Sequence, residues 1–320
     1  MNYDIIGDIH GHADALKALL KHMGYRESRG AWRHPDRKAI FVGDFIDRGP
    51  KQVETVEIAR RMVEADTALA VMGNHEFNAI AWFLPDASNP GEYLRPHHSP
   101  KDGDKNFRQH KEFLNEVIGT PHHKEIIDWF LTLPLWLEIP GLRVVHACWH
   151  QRFMDFIAPR LATGQRLTRD LMVEASREPE DASEKDNPEP SIFKAVEALT
   201  KGIEIPLPKP HCFKDKDGHE RNRVRVRWWD PNASTYKQTA MLDDGARDKL
   251  PETPIPDHVR IGAGGGKPIF IGHYWLTGTP ALRSSNVACV DYSIARGGKL
   301  VAYRWEGESE LSSTNLVWLR

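Results

Sequence analysis

Gly43-Asp44-Phe45-Ile46-Asp47-Arg48-Gly49 follows directly on the apolar run 39–42, and this junction decides the fold. A short β-type run that stops at a glycine and turns polar puts carboxylates at a strand end. There a sheet holds the backbone rigid while the loop stays open to substrate. Four more runs end the same way. Residues 3–6 lead into Gly7-Asp8-Ile9-His10-Gly11, and residues 69–72 into Gly73-Asn74-His75-Glu76. Residues 142–145 stop at His146, and residues 268–271 at Gly272-His273. Between the first three runs the apolar residues recur at helical spacing: Leu16, Leu19, Leu20 and Met23, then Val53, Val56, Ala59 and Met62. Repeated strand–loop–helix units predict an α/β fold, a sheet with helices on its faces. Pro50 is expected in the first turn of the second helix, and 74–83 is expected to be helical.

Outside these junctions the sequence mostly excludes. With 320 residues the chain can bury a large core. A formal charge of −2 argues against a generally basic nucleic-acid surface, so no stable nucleic-acid complex is expected. No apolar run is long enough to span a membrane. The start Met1-Asn2-Tyr3-Asp4 lacks a basic n-region and an apolar h-region, which sets the expectation of a cytoplasmic protein. Cys148, Cys212 and Cys289 form no pair, and Cys148 reads as a small buried residue rather than a nucleophile.

Further along, helices are expected at 107–118 and 124–131, then strands at 135–139 and 142–145. Residues 153–177 read as one helix, 178–190 as a charged loop, and 224–229 as a β-type run. Stretch 151–267 is taken as an insertion or cap within a single 1–320 domain, one that covers the site and chooses substrate. Strands return at 287–292 and 299–305, joined by Ala295-Arg296-Gly297-Gly298. His97-His98 and His122-His123 read as solvated loop residues. Trp228-Trp229 read as packing residues, with stacking on a ligand as the alternative. The run 221–227 reads as a strand with one wet face or as a basic rim.

Asp8 and His10, two positions apart, can reach one cation together, and Asp44 is placed to bridge two. Asn74, His146 and His273 complete the second. Carboxylate, amide and imidazole ligands without thiolate suit two divalent ions, manganese first, with iron or zinc as alternatives. Two such ions lower the pKa of a bridging water toward neutrality, so a bridging hydroxide can attack phosphorus. His75 is then placed to protonate the leaving group, Asp47 to orient and charge its ring, and Arg48 to grip the phosphoryl group.

The blocks Gly-Asp-x-His-Gly, Gly-Asp-x-x-Asp-Arg-Gly and Gly-Asn-His-Glu, in this order, resemble the calcineurin-like metallophosphoesterases. The branch they resemble holds the phosphoprotein phosphatases and the symmetrical diadenosine tetraphosphatases. Val144-Val145-His146-Ala147 and Gly272-His273 are similar to that family's later histidine blocks. The resemblance implies two packed mixed β-sheets flanked by helices, a four-layer sandwich with an inserted cap. It implies Asp8, His10 and Asp44 at one metal, and Asp44, Asn74, His146 and His273 at the other. It also implies His75 as acid with Asp47 as partner, and Arg48 on phosphate. It is firm over 1–83, local near 142–150 and 268–305, and weak elsewhere. His12 stands where phosphoprotein phosphatases usually carry Gln, and Trp149-His150 replace small residues, so substrate roles stay open for His12 and His150. A second phosphate-binding arginine is not placed; Arg152, Arg160, Arg227 and Arg247 are all candidates.

The function expected is hydrolysis of phosphate esters or anhydrides. The substrate classes expected are a dinucleoside polyphosphate, a phosphoprotein or a small phosphoester. An RNA-end or cyclic-nucleotide phosphodiesterase and a non-catalytic phosphate-binding module are the alternatives.

Overall fold

In a computed structural model that describes residues 1–100, 102–214 and 218–319, the five apolar runs are strands of two sheets. The chain opens with β1 (Asn2–Ile6), α1 (Ala13–His22), a small hairpin of β2 (Arg26–Ser28) and β3 (Ala31–Arg33), and β4 (Arg37–Phe41). Then come α2 (Gln52–Glu64), β5 (Ala68–Ala70) and α3 (Asn74–Phe83). Strands β1, β4 and β5 run parallel, with Ile5 opposite Ile40 and Ile40 opposite Leu69. The parallel β-α-β order is what the spacing of apolar runs dictates. Pro50 lies outside α2, ahead of Lys51. The helix start is satisfied from another element instead: Glu116 accepts from the N–H groups of Gln52 (2.8 Å) and Val53 (2.9 Å).

Helices α4 (Gly103–Val117) and α5 (Pro121–Phe130) precede β6 (Trp136–Ile139) and β7 (Leu142–Val145). The 122–123 pair therefore sits on a helix, and His123 is packed edge-on against Phe83 and Phe113. His97 is likewise packed, its ring stacked on Trp82 and Tyr93 at 3.6 and 3.8 Å between centroids. His98 and His122 are exposed, as expected.

The 153–177 stretch is not one helix. It gives α6 (Gln151–Ile157) and α7 (Arg169–Ser176), separated by a 3-10 turn through Pro159 and a turn at Gly164 (φ 80°). There follow α8 (Ile192–Lys201), β8 (Glu204–Pro206), β9 (Phe213–Lys214), β10 (Glu220–Arg221), β11 (Arg223–Arg225), α9 (Tyr236–Thr239) and α10 (Asp244–Arg247). The β-type run at 224–229 is shorter than expected, because β11 pairs only with β8. Residues 215–217 of the 151–267 stretch lie outside the described residues.

The chain closes with β12 (Ile269–Ile271), β13 (Val287–Cys289), β14 (Asp291–Tyr292), β15 (Lys299–Trp305) and β16 (Leu316–Trp318). One sheet runs β14-β15-β1-β4-β5, with β16 also on β15. The other runs β13-β12-β7-β6. The expected single strand 287–292 is thus two short ones, and the chain passes from one sheet to the other at Val290. Between the sheets, Ile5, Ile40, Val301 and Tyr303 meet Leu142, Val144, Phe270 and Ala288, all fully buried. Each aliphatic side chain of valine size or larger here, and Phe270, contributes roughly 1.5–3 kcal/mol. On the outer face of the first sheet, Leu16, Leu20, Val56 and Met62 pack against Ile6, Ala39 and Phe41. This two-sheet sandwich with outer helices is the architecture the sequence implied. It fixes β1, β4, β7 and β12 side by side with their carboxyl ends at one edge.

Candidate metal centre

The loops after β1, β4, β5, β7 and β12 converge, and the nine residues singled out from sequence come together there, all but Arg48 buried. His146 is inaccessible; Asp44, His10 and Asp8 are 1–2% exposed. Asp44 is central. Its Oδ2 lies 3.4 Å from His146 Nε2, 3.7 Å from His10 Nε2 and 3.9 Å from His75 Nε2. Its Oδ1 accepts the N–H of His75 at 3.0 Å. Asn74 Oδ1 sits between His273 Nδ1 (2.8 Å) and His146 Nε2 (3.3 Å). Asp8 Oδ2 accepts the N–H of His273 at 3.0 Å.

The ring orientations are fixed from behind. His10 Nδ1 lies 2.9 Å from the Ile46 carbonyl, and His146 Nδ1 lies 2.6 Å from that of Val42. With those nitrogens held by carbonyl acceptors, each Nε2 faces Asp44. Asp8 Oδ1, His10 Nε2 and His273 Nε2 are buried without a protein partner. Unpaired buried polar atoms are costly. Three of them, on residues of one carboxylate–imidazole–amide cluster, fit divalent cations. Two donor triads share one carboxylate, His10/Asp44/His75 and Asp44/His146/His273, and a third, Asp47/His75/His110, adjoins them, so Asp44 is placed where two ions can share it.

The backbone is forced to deliver these side chains. His10, Asp44, Asp47, Arg48 and His273 all take left-handed φ, between 48° and 76°. Such non-glycine conformations cost energy and persist only where the surroundings hold them. Gly73 shows how tight the cluster is, since a Cβ there would lie 2.2 Å from Asp44 Oδ1.

Charge follows the packing. Burial opposes ionisation of Asp44, but the His146 and His75 imidazoles outweigh it and hold the carboxyl well below the usual range. Burial also works against a charged His146, yet Asp44 raises it to about 10. Burial, then His75, lowers His10 to about 4, while burial and the Arg225 charge push His273 well down. Asp8 is raised well above the carboxylate range by burial and by Asp291.

Beside this cluster, Asp47 Oδ2 is hydrogen-bonded to His75 Nδ1 and lies 2.8 Å from His110 Nδ1. Burial penalises the Asp47 anion, and His110 and His75 more than compensate. Asp44 and Asp47 raise His75 against its burial. Arg48 is exposed at the rim, its Cζ 5.7 Å from the Trp275 ring.

Several residues of the site escaped the sequence reading. Glu76, quoted in its block without a role, accepts from the N–H groups of Asp44 (2.7 Å), Phe45 (2.8 Å) and Gly73 (3.0 Å). Burial, then Asp44, raises it to about 7. Its place in the first turn of α3 was a usable signal. His110, fully buried on α4, lies 63 positions from Asp47, and nothing local marked it. Two mid-chain arginines bear on the site: Arg225 acts on His273, its Nε buried without a partner while Nη2 reaches Glu204 at 3.2 Å, and Arg95 acts on His110. The four candidates named from sequence are bound elsewhere. Arg152 holds Pro188 O, Arg160 pairs with Glu174, Arg227 holds Gln238 O, and Arg247 pairs with Asp244.

The side readings resolve by packing. Cys148 is buried and its thiol is pushed well up by burial, as a small core residue. Trp228 is buried, its Nε1 donating to Ala147 O (3.1 Å) and Tyr274 Oη (3.0 Å). His150 caps α6 and stacks on Phe153 at 3.8 Å. His12 precedes α1 and is half-buried.

The profile of the calcineurin-like phosphoesterases matches residues 1–191. The asymmetrical bis(5'-nucleosyl)-tetraphosphatase of Halalkalibacterium halodurans is 46% identical over 76 residues, 23% of this chain and 31% of that protein. Its namesake from Oceanobacillus iheyensis is 30% identical over 149 residues, 46% of this chain and 55% of that one. The chain thus spans about a third to about half of the length of these curated relatives. Among solved structures, a cold-active protein-tyrosine phosphatase of a psychrophilic Shewanella aligns over 100% of this chain and 80% of its own. The identity is 18% and the TM-score 0.45.

Proposed function

Because the chain belongs to the calcineurin-like phosphoesterase family, we propose that it is a dinuclear-metal phosphohydrolase acting on phosphate anhydrides, with dinucleoside polyphosphates as its first substrate class. The observation that carries the reading is Asp44, one carboxylate shared by two imidazole-rich triads. Asp8, His10 and Asp44 would hold one ion, and Asp44, Asn74, His146 and His273 the other, with manganese the ion expected. Bound there, the ions supply charge neutralisation of phosphate oxygens and an activated water.

The chain's own residues do the rest. Arg48, exposed at the rim, grips a non-bridging phosphate oxygen. His75, one residue beyond Asn74, protonates the leaving oxygen from Nε2, because Asp47 occupies its Nδ1. Two anions, Asp44 and Asp47, favour the protonated ring against its burial. His110 and Glu76 act through other groups. His110 holds Asp47, and Glu76 holds the backbone that presents Asp44. Residues 151–267 serve as the cap, with α8 and Trp228 already bonded to Ala147 beside the histidine strand.

The substrate reading is favoured by the names of the curated relatives, bis(5'-nucleosyl)-tetraphosphatases. The test is turnover by manganese-loaded protein on diadenosine tetraphosphate, a phosphopeptide, para-nitrophenyl phosphate, its bis ester and a 2′,3′-cyclic nucleotide. Preference for the tetraphosphate supports the reading. Its products give the cleavage mode: two ADP for a symmetrical cut, ATP and AMP for an asymmetrical one. Preference for phosphopeptide or diester refutes the substrate class, and inertness toward all five refutes the hydrolase.

A further inference from the structure

The cap carries a cavity that the metal centre does not use. It measures about 260 Å³, and Phe153 of α6, Phe193 of α8, Ile203, Ile205 of β8 and Val259 give it apolar walls. That size falls just below the roughly 300–1,000 Å³ of pockets that hold drug-sized ligands. It suits one ring system rather than a length of peptide.

The charges that line it already have partners. Arg223 pairs with Asp186 (2.6 Å) and Arg225 with Glu204 (3.2 Å), while Lys201 pairs with Glu197 and Lys185 with Glu178. Lys194 Nζ donates to Glu184 O (3.1 Å), Asn187 O (2.6 Å), Asn187 Oδ1 (2.8 Å) and Glu189 O (2.5 Å), which fixes the loop along one wall. Apolar walls with charges spent on one another suit an uncharged flat group better than a second phosphate. One aromatic face is already set, because His150 and Phe153 stack 3.8 Å apart with 5° between their planes. Burial lowers His150 to about 4, so this ring is neutral at pH 7.

The cavity abuts the loop that carries His273. Gly202, in its wall, lies so close to Tyr274 that a Cβ there would come within 2.6 Å of Tyr274 Oη. Arg225, in the same wall, is the charge that joins burial in pushing His273 down. On α8, the helix of Phe193, Leu199 O accepts the Ala147 N–H at 2.9 Å, one residue beyond His146. A ring in the cavity and a phosphate at the metal centre can thus belong to one ligand.

We propose that this cavity is a nucleobase site, which takes one base of a dinucleoside polyphosphate whose phosphates lie at the metal centre. Phe153 and Phe193 hold the base by apolar contact with their rings. The proposal rests on the phosphohydrolase reading of the metal centre and names the part of the substrate that the cap selects.

The probe is adenosine, a base without a phosphate. Its binding to the manganese-loaded full chain is read by saturation-transfer NMR, with orthophosphate binding measured by calorimetry beside it. Base protons should saturate more strongly than ribose protons. Phe193→Ala removes one aromatic wall and should weaken adenosine about tenfold while orthophosphate binding holds. Ile203→Trp fills the cavity rather than opening it and should block adenosine too, so the test does not depend on how α8 tolerates the alanine. Unfolding midpoints are read alongside. In turnover of diadenosine tetraphosphate the loss should appear in KM rather than kcat. Adenosine that does not bind, or that binds alike to wild type and both variants, overturns the base site. So does binding that is lost in Trp275→Leu and kept in Phe193→Ala, which would place the base at the Arg48 rim. Phe193-dependent adenosine binding in a protein that hydrolyses none of the five substrates would keep the base site and sink the hydrolase. Hydrolysis of the tetraphosphate with a KM that neither variant moves would do the reverse.

Discussion

Replacing Glu76 by Gln should damage the metal centre from a distance. Glu76 touches none of the expected ligands by side chain, yet its two oxygens accept three backbone N–H groups, from Asp44, Phe45 and Gly73. Oε2 serves Asp44 and Gly73, and Oε1 serves Phe45. A glutamine can keep the first pair on its carbonyl oxygen, but its amide then points two hydrogens at the Phe45 N–H. One buried donor loses its partner and the others lose a charged acceptor, together about 2–4 kcal/mol. The loop that yields carries Asp44, whose left-handed backbone (φ 53°) is held by these bonds. Removing an outer-shell partner of a metal ligand typically weakens binding by roughly 10–100-fold. The assay is manganese titration of apo-protein by calorimetry, with chemical unfolding of the apo form beside it. Glu64→Gln is the control, since its exposed pair with Arg60 (2.8 Å) is worth at most about 0.5 kcal/mol. A Glu76→Gln protein that binds manganese as tightly as wild type and unfolds at the same denaturant concentration would refute the role given to this carboxylate.

Asp47→Asn removes one of the two anions that keep His75 protonated. The alkaline limb of the pH–rate profile, where the acid form is lost, should therefore move to lower pH, most visibly for substrates with poor leaving groups. An unmoved limb would separate His75 from the acid role. Gly43→Ala meets a left-handed backbone (φ 98°) and would put Cβ 2.5 Å from Gly73 N, so both apo-stability and manganese content of purified protein should fall. Arg37→Met leaves the inaccessible Asp4 to Arg304 (3.2 Å), in place of a pair that includes Arg37 at 2.8 Å, and costs about 1–3 kcal/mol in unfolding. Adding Asp4→Asn should return part of that, while turnover per folded molecule stays at the wild-type value in both.

The strand-end blocks carried most of the site in the sequence because each is local. Asp8 with His10, Asp44 with Asp47 and Arg48, and Asn74 with His75 lie within a few residues of one another, and the sheet then superposes the blocks. His110 was not legible for the opposite reason: it meets the site through the packing of α4, by a 2.8 Å approach to Asp47 and an edge-on ring contact with His75. The same holds for Arg225, whose proximity to His273 depends on how β11 and β8 fold back. Misread elements failed on backbone chemistry. Pro159 and Gly164 broke a helix whose apolar spacing looked continuous, and 287–292 read as one strand because either sheet would accept its apolar side chains. His97 was taken as solvated because periodicity gives no sign of a partner like Trp82, fifteen residues away.

The central claim is that this chain hydrolyses phosphate compounds through two ions sharing Asp44. The most direct measurement is hydrolysis of para-nitrophenyl phosphate by chelator-stripped protein as manganese is returned, with bound metal counted at each point. Activity that is absent without metal and complete only at two ions per chain, and that is lost in Asp44→Asn, is the outcome expected. Full turnover by metal-free protein, or by protein holding a single ion, would contradict it.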